Sequence, residues 1–324
     1  MTAPLLQAKN LSVQFGGLRA VNDVSFEVWP HEVFSLIGPN GAGKTTIFNL
    51  ISSLYTPTGG RVIFEGEAIS HLAPDEIARL GIARTFQNIE LFEHATVLQN
   101  LLVGRHCQRH SSWWQDLLYT PRVRRTELQF RRHAEEVIEF LDLQHYRDSM
   151  VVSLPYGVRK VVELGRALAM RPKLLLLDEP SSGLNVEETE EMGFWIDDIK
   201  NDLGITVIMV EHDMGLVSRV SDRVLALNQG EVLALGTAAE VQAHPGVIEA
   251  YLGGVNDDLP PNPLPTEGGA QAHPGGRNTA LPPAPSPREG VTSHPAPSGS
   301  GAGGEGVSKP AASSGRPGRG GLYE

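Results

Sequence analysis

The chain is short of cysteine and of positive charge, and each shortage removes a class of protein. Cys107 is the single cysteine, so no internal disulfide can staple the fold, and a reducing interior suits it. Lys and Arg number 27 against 38 Asp and Glu, a formal charge of -11. That balance argues against a dedicated nucleic-acid binder, whose affinity comes largely from a basic surface. No run approaches the roughly 18 to 20 uninterrupted apolar residues needed to cross a bilayer. The opening MTAPLLQAKN has neither the basic leader nor the apolar core of a signal peptide. These absences predict a soluble intracellular protein, long enough at 324 residues for one large or two ordinary domains.

Aromatic residues run out at the C-terminal end. From Val255 onward Gly and Pro make up roughly two residues in five, and Tyr323 is the only aromatic. Such a segment cannot bury enough apolar surface to offset the entropy of ordering it. The expected organisation is a folded domain over 1–253 and a disordered Gly/Pro/Ser-rich tail over 254–324, read as a spacer rather than a docking segment.

Within the folded part, LLQAKNLSVQF and AVNDVSFEVW read as strands, the second alternating apolar and polar over Val24 to Val28. VFSLIG is a continuous apolar run ending in glycine, and KTTIFNLISSLY follows with helical spacing at Ile47, Leu50, Ile51 and Leu54. Strand, Gly-rich turn and helix in that order open a parallel α/β unit. KLLLLD and TVIMVEHD are two further buried parallel strands, each ending in acidic residues. From about 89 to 168 the pattern turns helical, in VLQNLLVG, TELQFRRHAEEVIEFLDL and VVELGRALAM. That block predicts an inserted helical subdomain. There is no internal repeat.

GPNGAGKTT matches the G-x-x-x-x-G-K-[ST] phosphate loop in the required place between strand and helix. Its residues are Gly38, Pro39, Asn40, Gly41, Ala42, Gly43, Lys44, Thr45 and Thr46. The glycines let backbone N–H groups wrap phosphates closely. Lys44 would reach the β and γ phosphates, and the Thr45 hydroxyl would hold Mg²⁺. Asp178, at the end of LLLLD, is placed to bind Mg²⁺ through water, and Glu179 can take a proton from an attacking water. LPYGVRK, Leu154 to Lys160, sets a turn against a helix start, a natural seat for an anion.

In order, GPNGAGKTT, ARTFQNIELF, LPYGVRK, LLLLDEPSSGLN and MVEHDM resemble the ATP-binding cassette ATPases over essentially all of residues 5–253. The resemblance implies a P-loop NTPase core, a mixed sheet with flanking helices and an N-terminal antiparallel β subdomain, carrying an inserted helical subdomain. It implies that Gln87 senses Mg²⁺ and the γ-phosphate and links the site to the membrane partner. His212 would be the switch histidine on the γ-phosphate, and Phe15 would stack on adenine. LPYGVRK stands where this family usually has LSGGQ, so Leu154, Pro155, Tyr156 and Gly157 would bind ATP held by the opposing subunit. Pro155 replaces the usual serine and can donate neither a hydroxyl nor an N–H. Asn185 replaces the usual aspartate of the loop after Glu179.

The variant signature, RTFQNIELF, EPSSGLN, FGGLRAVNDVSF, EHDM and HPGVIEAYLG are similar to the ATP-binding subunits of branched-chain amino-acid importers. Urea importer subunits share the pattern. The implied assembly has a second ATPase subunit, identical or not, two membrane permeases and an external solute-binding protein, with no nucleic acid. It implies ATP and Mg²⁺ as cofactors and a peripheral position on the inner face of the cell membrane. Residues 105–132 carry seven arginines and the pair Trp113-Trp114; a solvated subdomain face is preferred there over a surface for permease loops or anionic lipid. His106, Cys107 and His110 lack a second ligand cluster for a metal. No Asn-Lys-x-Asp occurs, which removes the G-protein switches. The span from Gln87 to the signature, about 65 residues, is too short for the coiled-coil arm of a chromosome-maintenance ATPase. A single phosphate loop disfavours the two-domain ribosome-acting cassettes. A regulatory module that binds ATP without hydrolysing it stays open, with Glu179 and His212 against it.

Overall fold

Two sheets made by two different sequence patterns organise the domain. The computed structural model describes residues 3–85, 89–104 and 121–252. In chain order the first elements are β1 (Leu6–Phe15), β2 (Leu18–Val28), β3 (Val33–Ile37), α1 (Lys44–Ile51), β4 (Gly59–Phe64), β5 (Glu67–Ala68), α2 (Pro74–Arg79) and β6 (Ile82–Arg84). Helices α3 (Val97–Gly104), α4 (Pro121–Phe140) and α5 (Tyr156–Leu168) follow, then β7 (Leu174–Asp178), α6 (Val186–Asn201) and β8 (Thr206–Val210). The remainder is α7 (Met214–Val220), β9 (Arg223–Asn228), β10 (Glu231–Gly236), α8 (Ala238–Gln242) and α9 (Pro245–Leu252).

The N-terminal strands form an antiparallel sheet in the order β2-β1-β4-β5. Strand β1 buries Leu6 and Ala8, then Leu11 and Val13, so its buried set moves from even to odd positions. A shift in register between Ala8 and Leu11 makes this possible. An extra residue in one strand turns every later side chain to the other face, and Asn10 takes the strain with φ 49°.

The second sheet runs β10-β9-β3-β8-β7-β6, parallel except for the edge strand β10. Strands β3, β7 and β8 are buried at every position, which is why they read as continuous apolar runs rather than alternating ones. Their residues alternate between two cores. Val33, Ile37, Leu175, Leu177, Val207 and Met209 pack with the helices that carry Trp195, Ile196 and Leu216. Phe34, Leu36, Leu174, Leu176, Ile208 and Val210 pack with α1 and the antiparallel sheet. Parallel pairing brings the C-terminal ends of β3, β7 and β8 to one edge, where ligands of open α/β sheets bind.

Helices α3, α4 and α5 supply the predicted helical block. Val97, Leu101, Val137, Ile138, Val162 and Leu164 belong to one buried cluster. An added Cβ at Gly104 would lie 2.3 Å from the Arg166 carbonyl, so only glycine permits α3 and α5 to approach this closely. Arg147 clamps the Glu135 carboxylate side-on through Nε and Nη2, which holds Glu135 below the usual carboxylate range. Residues 105–120, with Trp113, Trp114, His106, Cys107 and His110, and the segment 254–324 lie outside the described residues.

Candidate functional site

The phosphate loop joins β3 to α1, and contacts demand two of its glycines, Gly38 and Gly43. Gly38 has φ 148°, and a Cβ on it would sit 2.2 Å from the Leu227 carbonyl of β9. Gly43, with φ 101°, precedes α1, where a Cβ would meet the Ala20 carbonyl at 2.7 Å. No acidic residue occupies the first turn of α1 and no side chain caps it. Its N-terminal N–H groups therefore face the loop, the arrangement that receives an anion.

Lys44 is buried, and its Nζ donates to the Gly38 carbonyl at 2.7 Å and the Pro39 carbonyl at 3.0 Å. Burial pushes its pKa down, while the Glu179 and Asp178 carboxylates push it back up. The ammonium is thus fixed at the loop beside two acidic groups. Thr45 is exposed at the start of α1, and Thr46 is half-buried behind it.

Asp178 ends β7 with 2% exposure. Its Oδ2 accepts from Arg84 Nη2 at 2.9 Å, and its Oδ1 is buried without a hydrogen-bond partner among the described residues. A buried carboxylate oxygen left without a donor is a mark of a place for a cation or its water. Burial raises the Asp178 carboxyl above its ordinary range, and Arg84 works against that rise. Arg84 is itself held by Asn49 Oδ1 at 2.7 Å and Ser52 Oγ at 3.2 Å, over the Phe48 ring. Sequence reasoning missed Arg84, although it lies within ARTFQNIELF.

Glu179 follows in a left-handed backbone conformation, φ 48°, unusual for a residue with a Cβ and a source of local strain. Its N–H donates to the Val210 carbonyl at 2.9 Å, and its own carbonyl accepts from Lys160 Nζ at 3.4 Å. His212, after β8, brings Nδ1 to 3.9 Å from Glu179 Oε1. Lys44, Asp178, Glu179 and His212 therefore meet at one edge of the sheet. Phe15 ends β1 and is 44% exposed, its ring edge-on to Tyr55 at 5.0 Å between centroids. Gln87 lies outside the described residues.

Leu154, Pro155, Tyr156 and Gly157 stand together at the start of α5. Pro155 is the N-cap, with φ −54° and ψ 154°, a position where its missing N–H breaks no helix bond. Its carbonyl accepts from Arg159 N at 3.0 Å, so the helix starts normally. Among the described residues no hydrogen bond joins 154–157 to the phosphate loop. Contact is instead with the segment after Glu179. The Tyr156 hydroxyl donates to the Ser182 carbonyl at 3.2 Å, and a Cβ on Gly157 would lie 2.3 Å from Glu188 Oε1. Asn185 caps α6 reciprocally with Glu188: its Oδ1 accepts from Glu188 N at 2.9 Å, and Glu188 Oε2 accepts from Asn185 N at 3.0 Å.

Comparison with known proteins agrees with this geometry. Residues 21–182 match the family model described as ABC transporter, and residues 231–256 match that described as branched-chain amino acid ATP-binding cassette transporter. The chain is 42% identical to the high-affinity branched-chain amino acid transport ATP-binding protein LivG of Escherichia coli K12, over 78% of this chain and 99% of that one. It is 41% identical to BraF of Pseudomonas aeruginosa, a protein of the same description, with the same coverage. Among solved structures it resembles a nucleotide-free ATP-binding cassette from an ABC transporter, with a TM-score of 0.68 and 32% identity over 77% of this chain and 99% of that one. The ADP conformation of such a cassette matches with the same score and identity, over 78% and 100%.

Proposed function

The chain belongs to the ABC transporter family, as an ATP-binding and ATP-hydrolysing subunit of its branched-chain amino-acid branch, and we propose the following division of work among its residues. The observation that carries the reading is the meeting of Lys44, Asp178, Glu179 and His212 at the edge formed by β3, β7 and β8. Residues 38–46 bind the phosphates through backbone N–H groups, with Lys44 as the fixed positive charge, and Phe15 stacks on adenine. Glu179 accepts the proton of a water attacking the γ-phosphorus, and ADP with its β-oxygen leaves. His212 holds the γ-phosphate in line. Thr45 and Asp178, whose Oδ1 lacks a partner, would hold Mg²⁺ with Gln87. When bound, that ion neutralises phosphate charge.

The N-terminal turn of α5, which makes no hydrogen bond to its own phosphate loop among the described residues, seats ATP held by a second ATPase subunit, identical or not. Closure of the pair on ATP and its reopening are transmitted to two integral-membrane permeases that receive solute from a binding protein. No described helix is long and apolar enough to cross a membrane, in keeping with a peripheral position on the inner face of the cell membrane. A urea importer subunit is not favoured, since the C-terminal segment matches the branched-chain amino-acid model. The domain boundaries we adopt are 1–253 for the ATPase, with a helical subdomain over about 89–168.

The test is reconstitution of the chain with its permeases and partner ATPase in vesicles. Leucine-loaded binding protein should stimulate ATP hydrolysis, and Glu179→Gln should lower turnover by about a hundredfold or more while ATP still binds. Hydrolysis near the wild-type rate in Glu179→Gln overturns the catalytic assignment, and stimulation by a urea-loaded protein alone overturns the solute.

A further inference from the structure

Two loops at this site carry the reacting groups, and a single buried carboxylate ties them together. Glu211 is the first residue after β8 and has 0% exposure. Its Oε1 accepts from Ser181 N at 2.8 Å, two residues past Glu179. Its Oε2 accepts from His212 N at 3.0 Å and Asp213 N at 3.3 Å. The Glu211 backbone N–H donates to the Leu36 carbonyl of β3 at 3.3 Å. An apolar side chain would pack this position as well, so burying an acid here answers the need of the N–H groups it pairs.

The geometry points to Glu211 as a positioning residue for hydrolysis, an assignment that rests on the ATPase reading above. Glu179 is held in a left-handed conformation that its own side chain disfavours. His212 has 59% of its side chain exposed, so packing alone does not orient it. Each therefore depends on its backbone. Ser181 anchors the loop of Glu179 on one carboxylate oxygen, and His212 and Asp213 anchor the other loop on the second. The 3.9 Å approach of His212 Nδ1 to Glu179 Oε1 is then set through Glu211. Asp213 adds a stop on the far side, its Oδ1 accepting from Gly215 N at 2.8 Å and Leu216 N at 3.1 Å. Without Glu211 the Glu179 N–H still pairs with the Val210 carbonyl, but Ser181, His212 and Asp213 lose the carboxylate that fixes their N–H groups relative to one another.

The variant is Glu211→Gln, which has nearly the same shape but presents one acceptor and one NH₂. Whichever way the amide turns, one loop meets a donor with a donor. In the reconstituted transporter, kcat should fall about tenfold or more while KM for ATP stays within about twofold. In the isolated full chain, ATP affinity should be unchanged, and the His212 imidazole NMR signal, assigned with His212→Gln, should shift. Glu211→Asp keeps both oxygens on a shorter arm and should show the same split in milder form, about threefold in kcat. It decides the matter should Glu211→Gln fail to fold. A kcat within twofold of wild type, a loss residing in KM, or a fallen kcat with an unmoved His212 signal overturns the proposal. Absence of hydrolysis in the wild-type complex would instead sink the ATPase reading, and the two failures are told apart by that control.

Discussion

Replacing Gly157 by alanine separates a structural demand for glycine from a demand made by a partner's phosphate. An added Cβ lies 2.3 Å from Glu188 Oε1 and 2.7 Å from its Cδ, so the carboxylate must swing aside. Swinging breaks the 3.0 Å bond that Glu188 Oε2 accepts from Asn185 N, a loss of about 1 kcal/mol. The reciprocal bond from Glu188 N to Asn185 Oδ1 survives. Alanine in a helix is preferred over glycine by about 0.5–1 kcal/mol. The two terms nearly cancel, so Tm should move by no more than about 2–4 °C. ATP affinity of the isolated chain, measured by calorimetry, should be unchanged, because the phosphate loop is untouched. If the start of α5 seats the partner's γ-phosphate as proposed, the displaced carboxylate would crowd that seat, and turnover of the assembled transporter should fall about tenfold or more. Adding Glu188→Ala removes that charge and should restore turnover. Loss of ATP binding by the isolated Gly157→Ala chain would refute the reasoning, since the segment would then act on its own nucleotide.

What could be read from the residues and what could not divide along sequence distance. The phosphate loop was legible because its glycines, lysine and flanking apolar strand lie within one short stretch. Strands β3, β7 and β8 were legible because burial on both faces leaves a continuous apolar run. Arg84 was not legible as the partner of Asp178, since 94 residues separate them. Glu211 read only as an acid at a strand end, and its bond to Ser181 spans 30 residues. The register shift in β1 leaves no trace in composition, because both halves of the strand alternate correctly by themselves. Pro155 shows the opposite limit. Residue by residue it counts as a lost donor, yet at the N-cap its carbonyl still closes the first turn of α5. The physical weight of a motif residue is thus decided by which of its backbone groups the local structure uses.

Three further outcomes are expected, two from the site geometry and one from the composition of the C-terminal segment. Lys44→Ala removes the ammonium held between the Gly38 and Pro39 carbonyls, and ATP affinity of the isolated chain should drop about tenfold or more, read by calorimetry. Deleting residues 258–324, a Gly- and Pro-rich stretch with few large apolar residues, should change Tm by less than about 2 °C and leave ATPase activity intact; a larger fall shows docking on the domain. The last concerns acid. Burial raises the Asp178 carboxyl above its ordinary range even with Arg84 beside it. Between its unfolded and folded pKa values the folded chain therefore holds more proton than the unfolded one, so Asp178 costs stability as pH rises through that window. Asparagine can still accept from Arg84 and does not titrate. The Tm of Asp178→Asn relative to wild type should accordingly climb as pH is raised from about 4 toward neutrality, while hydrolysis in the complex is lost throughout. A Tm difference that stays flat, or one that shrinks, would show that the Asp178–Arg84 pair outweighs burial and that the carboxylate is at ease in its site.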